Sequence, residues 1–260
     1  MKRIGIIGGM SYESTLHYYK EINRQVNERA GRLISADLIL RSVNFEEYHE
    51  LMESGDWQKI ADKLSREALG LVHLGKCDFV AIATNTMHKV ADHVGGLLLL
   101  PSDMALRMDI PEDIPLVDIP FIHIGDSIAE KCKEVGAKRV LLLGTKFTMT
   151  EDFLKKRLAE HEIETMDLSR HSKEIDEIDR IIFQELCRGV VTDESADFLV
   201  DFIRKFPTDS EPEPDAIILG CTELDMLIKS ESIRGQRKKI PIIDSTKAHI
   251  ESIVKHCLSD

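Results

Sequence analysis

Two turns in the chain carry side chains able to move a proton. In "DAIILGCTEL", residues 215–224, an apolar run meets Gly220 and then Cys221, Thr222 and Glu223. In "DFVAIATNTMH", residues 78–88, an equally apolar run ends at Thr84, followed by Asn85 and Thr86. The runs start 137 residues apart, at Asp78 and Asp215, so Cys221 falls on Thr84 when the chain is laid against itself. A thiol and a hydroxyl on opposite faces of one tetrahedral carbon can remove a proton from one side and return it from the other, which inverts the centre. Abstraction next to a carboxylate builds a dianionic intermediate, so such a site also needs donors. Backbone N–H groups at helix N-termini, with Asn85, Thr86 and Thr222, could supply them. A helix end beside Cys221 would also lower its pKa and give a usable thiolate near neutrality.

Taken singly, these residues have plainer readings. A buried cysteine at a strand end is more often packing than chemistry, and Thr84 is well suited to cap a helix. His88, four residues after Thr84, suits a structural or substrate-edge role. His123 and Asp244 occupy equivalent places and either line a cleft or cap helices. Cys77, Cys132, Cys187 and Cys257 sit in or beside helical patterns, where packing accounts for them.

Internal duplication is what raises the sharper reading. "KRIGIIGG" from Lys2 and "KRVLLLGT" from Lys138 are 136 residues apart, close to the offset of the two turns. A third pair, "IPFIHIGDSI" from Ile119 and "IPIIDSTKAHI" from Ile240, is offset by 121, which leaves about 16 extra residues in the first half. The excess falls in a leucine-rich insert, residues 95–115, that reads equally as a subunit interface or flap and as a helix end tucked on the core. Each half alternates short apolar strands with helical patterns. Ser11 or Ser14 caps the first helix, with Leu16, Tyr19 and Ile22 at helical spacing; Phe153, Leu154 and Leu158 mark its counterpart. The expected fold class is α/β: two pseudosymmetric doubly wound domains, each a small parallel sheet flanked by helices, with the active site at their interface. The expected divisions are 1–115, 116–240, and a C-terminal strand and helix, 241–260, returning to that interface. Ligands in such folds bind beyond the carboxyl ends of the strands.

Composition narrows the partners. Of 260 residues 43% are hydrophobic and 31% charged, as in soluble globular proteins. The balance of 46 acidic to 34 basic side chains gives a net charge of −12, which disfavours nucleic acid and anionic membrane surfaces. No signal-like or membrane-length apolar run occurs, and the expected location is cytoplasmic. Five scattered cysteines without C-x-x-C suggest neither a disulfide framework nor a zinc site. Gly5, Gly8 and Gly9 do not make G-x-G-x-x-G, and no phosphate cup with a Schiff-base lysine can be picked out, so neither a nicotinamide nor a pyridoxal cofactor is expected.

"GIIGGMSYEST", "ATNTMHKVAD", "GTKFTMTEDF", "IIFQELCRG" and "GCTEL", in that order, resemble the aspartate/glutamate racemase family over essentially the whole chain. The resemblance implies a cofactor-independent racemase of two pseudosymmetric domains, usually a homodimer, acting on a small-molecule amino acid with two acid/base residues. By position, Cys221 matches the second of these. Thr84 stands where the family usually has cysteine, as in a branch associated with L-aspartate and L-glutamate. Met10, Ser11, Asn85, Thr86, Thr145, Thr148, Thr222 and Glu223 are the substrate-binding candidates. The arginine that aspartate racemases carry after the second strand is missing from "SVNFEEYHE"; Arg41 precedes the strand end, and Lys173 lies near the place of a second family cation. Two alternatives stay open: a one-thiol decarboxylase or isomerase of small dicarboxylates, and a catalytically silent amino-acid-binding protein.

Overall fold

The computed structural model describes residues 1–98, 119–206, 213–228 and 240–259, so most of the 95–115 insert lies outside the described residues. Contacts divide the chain into two compact units: Met1–His123 with Ile250–Asp260, and Ile124–His249. These divisions fall at 123 and 249, later than the sequence boundaries of 115 and 240.

In the first unit, continuously apolar β1 (Ile4–Gly8) is the middle strand of a parallel sheet. It lies between β2 (Leu38–Ser42) and β3 (Phe79–Ile82), and β1 and β3 are buried throughout while β2 forms a more exposed edge. A parallel bridge from Val80 to Phe121 adds a vestigial fourth position beyond β3. The strands are joined by helices α1 (Tyr12–Ala30), α2 (Phe45–Ser54) and α3 (Trp57–His73), with α4 (Ala91–Leu98) after β3. One core gathers Ile4 and Ile6 of β1, Phe79 and Ala81 of β3, and Tyr18, Ile22 and Val26 of α1. Ile250, Ile253, Val254 and Cys257 from the C-terminal helix complete it.

Here one expectation is corrected. Leu16 and Tyr19 do not share the buried face with Ile22; they are 61% and 50% exposed. The face of α1 is set by its polar start. Thr15 Oγ1 accepts from the Gly9 N–H at 2.7 Å and donates to the Ser11 carbonyl at 2.7 Å, and Ser14 Oγ reaches the Ala83 carbonyl at 3.5 Å. With Ser14 and Thr15 turned inward, the i, i+4, i+8 row that follows is Tyr18, Ile22 and Val26.

In the second unit, α5 (Ile124–Val135) leads to β4 (Arg139–Gly144), then α6 (Lys146–Thr150), α7 (Asp152–Ala159) and β5 (Glu164–Thr165). Next come α8 (Ser172–Gln184), α9 (Asp193–Lys205), β6 (Ala216–Gly220) and β7 (Ile242–Asp244), and α10 (Ser245–Cys257) starts in this unit and belongs from Ile250 onward to the first. The parallel sheet has order β5-β4-β6-β7. Alternate residues of β4 and β6 enter two cores. Val140, Leu142, Ala216 and Ile218 pack with Ile124, Ile128, Leu154 and Leu158. Leu141, Leu143, Ile217 and Leu219 pack with Ile178, Ile182, Leu199 and Ile203. Both faces of the sheet are therefore covered, which is why its strands read as unbroken apolar runs.

The duplication holds at the level of strand register. Ile4 pairs with Phe79 as Val140 pairs with Ala216, and Val80 bridges Phe121 as Ile217 pairs with Ile242. Each pair is the other shifted by the offsets found in the sequence, and both sheets run in the same order. Among the described residues, no helix is long and apolar enough to cross a membrane.

Candidate active site

The first unit gathers Met10, Ser11, Thr84, Asn85 and Thr86 at the C-terminal ends of two neighbouring strands, all of them buried. After β1 the chain makes a tight turn in which Gly9 has φ +95°. A Cβ there would lie 2.4 Å from the Val43 carbonyl oxygen, so only glycine fits. Of the two serines suggested as caps, Ser11 is the one used: its hydroxyl accepts from the Ser14 N–H at 3.2 Å. After β3, Ala83 stays in the ladder through its N–H to the Ile7 carbonyl, and Thr84 and Asn85 turn into a 3-10 segment, Thr86–Val90.

The cap position of that segment is Asn85, without a side-chain cap bond, so Thr84 is not its cap. What Thr84 offers is its carbonyl, 2.7 Å from His88 Nδ1. A carbonyl only accepts, so Nδ1 is assigned as the N–H. The His88 ring stands edge-on to His123 at 4.6 Å between centroids, and both are buried. His123 therefore packs under the Thr84 turn. Its positional counterpart Asp244 caps α10, accepting from Thr246 N at 2.8 Å and Lys247 N at 3.1 Å.

The second unit gathers Thr145, Thr148, Cys221, Thr222 and Glu223 at the ends of β4 and β6. Gly144 and Gly220 are paired, and a Cβ on either would meet the opposite strand's backbone at 2.8–2.9 Å and the Thr148 methyl at 3.0 Å. The glycines let Thr148 lie across the strand ends. Thr145 caps α6, accepting from Thr148 N at 3.3 Å, and its hydroxyl is 3.1 Å from that of Thr148.

Cys221 is buried, and its Sγ donates to Glu223 Oε2 at 3.1 Å; Thr222 Oγ1 donates to the same oxygen. Glu223, expected among substrate-binding residues, is thus engaged by the protein's own donors. The expectation of a lowered thiol pKa is reversed. Burial pushes the Cys221 thiol well above its ordinary range, the Glu223 carboxylate and Cys187 push the same way, and the Glu223 backbone N–H offsets them only in part. Among the described residues no helix N-terminus follows it: Cys221 leads into a 3-10 turn, Leu224–Met226.

Cys187, read as packing, lies in this site: its Sγ donates to Glu223 Oε1 at 3.8 Å. It sits in a 3-10 turn, Leu186–Arg188, closed by Gly189 at φ +73°. The sequence signal was its place in "ELCRG", but no local pattern tied that turn to residue 223. Arg41 is not available as a lone cation, since it pairs with Glu67 through two bonds of 2.6 and 2.9 Å. Lys173 is exposed at the start of α8. Among the described residues, no group of three or more His, Cys, Asp or Glu side chains could hold a metal ion.

Two small parallel sheets flanked by helices, with chemistry-bearing turns after equivalent strands, define the class to which comparison then assigns the chain. The family model for Asp/Glu/Hydantoin racemases matches residues 7–253, and the chain belongs to that family. An aspartate racemase homologue from Pyrococcus horikoshii OT3 is 33% identical with a TM-score of 0.75, and a Yersinia pestis protein provisionally described as an Asp/Glu racemase is 34% identical with a TM-score of 0.81. Each match covers 100% of both chains. The aspartate racemase of Picrophilus torridus shares the fold at 22% identity and a TM-score of 0.61, covering 99% of this chain and 94% of its own. Family and neighbours together support an enzyme of the racemase type.

Proposed function

We propose that the protein inverts the α-carbon of a small acidic amino acid, aspartate or glutamate, by cofactor-independent proton transfer between Cys221 and Thr84. The observation that carries this reading is the buried Cys221–Glu223 pair at the end of β6, at the position in the repeat that Thr84 holds at the end of β3. Glu223 Oε2 takes the Sγ proton, and the thiolate removes the α-proton of one enantiomer. The Thr84 hydroxyl delivers its proton to the opposite face of the carbanion and regains one from water, and the hydroxide left takes the proton held by Glu223. For the other enantiomer the steps reverse. Thr84 is the weaker partner, since an alcohol is a far poorer acid than a thiol. Racemisation has an equilibrium constant of one, so this weakness slows both directions equally and cannot make the enzyme one-way. Met10, Ser11, Asn85, Thr86, Thr145, Thr148 and Thr222 supply donors for the substrate's carboxylates.

The test is incubation with each enantiomer of aspartate and glutamate in D₂O, following Cα–H exchange and chirality together. Exchange with inversion from both enantiomers of one amino acid is expected. Exchange with retention from one enantiomer alone points to the one-thiol alternative, and binding without exchange to the silent binder; either outcome sinks the two-sided mechanism.

A further inference from the structure

Glu223 accepts hydrogen bonds on both oxygens, from Cys221 and Thr222 on Oε2 and from Cys187 on Oε1. The turn bearing Cys187 is built to stay in place. Glu185, just before it, accepts from Ser195 Oγ at 2.6 Å and Thr192 Oγ1 at 3.3 Å at the start of α9, and from Arg180 at 2.9 Å on α8. A half-buried thiol is thus held against a buried carboxylate that already serves a second thiol.

We propose that Cys187 is a positioning residue for Cys221, acting through Glu223: by sharing the carboxylate it limits how readily Glu223 takes the Cys221 proton. This rests on the functional reading only in giving Cys221 a proton to lose. A donor on a carboxylate stabilises its charged form and weakens it as a base. The transfer is Sγ–H of Cys221 to Oε2 of Glu223, leaving thiolate and carboxylic acid with no change in total charge. Without the Cys187 donor that balance shifts toward the thiolate. The groups facing Cys187 are Glu223, Cys221 and Asp179, and Asp179 is itself held by the Lys146 N–H at 2.6 Å. Burial and Glu223 keep the Cys187 thiol above its ordinary range, so it remains a donor at neutral pH.

Alkylation of the folded full chain by iodoacetamide, without substrate, tests this, with peptide mass spectrometry separating Cys221 from Cys187. Cys187→Ala is expected to speed Cys221 alkylation at pH 7 by roughly three- to tenfold and to move its acid limb upward. Cys187→Ser, which keeps a donor over Glu223, should stay within about twofold of wild type. In a Glu223→Gln background the Ala and Ser variants should alkylate alike. Equal Cys221 rates in all these proteins, zero included, overturn the proposal, as does an Ala effect that persists in the Gln background. Because no substrate is present, failure here leaves the exchange experiment untouched, and the converse also holds.

Discussion

After β3 the chain turns through Thr84 and Asn85, and an imidazole takes the Thr84 carbonyl; after β6 it turns through Cys221 and Glu223, and a carboxylate takes the Cys221 thiol. The two turns leave their sheets at the same register and carry opposite kinds of companion. On the threonine side the imidazole N–H of His88 goes to the backbone carbonyl of Thr84. On the cysteine side the Glu223 carboxylate accepts directly from the Cys221 sulfur. Duplication has therefore preserved where the residues stand, while the neighbours decide what each can do. In the mechanism we propose, Cys221 with Glu223 abstracts the proton and Thr84 chiefly gives one back.

The largest effect should come from removing the equipped side. Cys221→Ala is expected to lower α-hydrogen exchange by about 10³-fold from both enantiomers, because it removes the thiol that abstracts the α-proton in the proposed mechanism. Residual exchange comparable to wild type would mean that the two turns are not unequal in this way.

Thr84→Ala should be more selective. Inversion is expected to fall about 10²-fold, while the enantiomer facing Cys221 continues to exchange deuterium with retention. Thr84→Cys should recover inversion, since it restores an acid of ordinary thiol strength. If Thr84→Ala inverts as fast as wild type, the threonine turn is structural only.

The smallest effect concerns the caps that follow β1 and β4. Ser11→Ala and Thr145→Ala should each cost about 1 kcal/mol in urea unfolding. The loss should be greater at Ser11, which starts a helix of 19 residues, than at Thr145, whose helix has five. Equal losses would show that cap value does not follow the helix being capped.

Much of this frame was legible in the residues. Continuous apolar runs at Ile4–Gly8 and Ala216–Gly220 announced strands covered on both faces, and the two offsets placed Thr84 opposite Cys221 in the repeat. The face of α1 was not legible, because Leu16 and Tyr19 are apolar whether or not they are buried. The inward face was chosen by the hydrogen bonds of Ser14, which donates to the Ala83 carbonyl, and of Thr15, which accepts from the Gly9 N–H. Cys187 was missed for the same kind of reason. It lies 36 residues from Glu223, and only the packing of α8 and its closing turn beside β6 brings the sulfur to the carboxylate.

The sequence by itself determined the repeated α/β plan, the strand ends that carry Thr84 and Cys221, and the glycines at those ends, because period, apolar runs and spacing are properties of the chain. The ionisation of Cys221 was decided only by the tertiary structure. A helix N-terminus would have lowered the thiol's pKa; burial beside Glu223 and Cys187 raises it. A pKa reports the field at one atom, and that field is assembled from groups far apart in the chain.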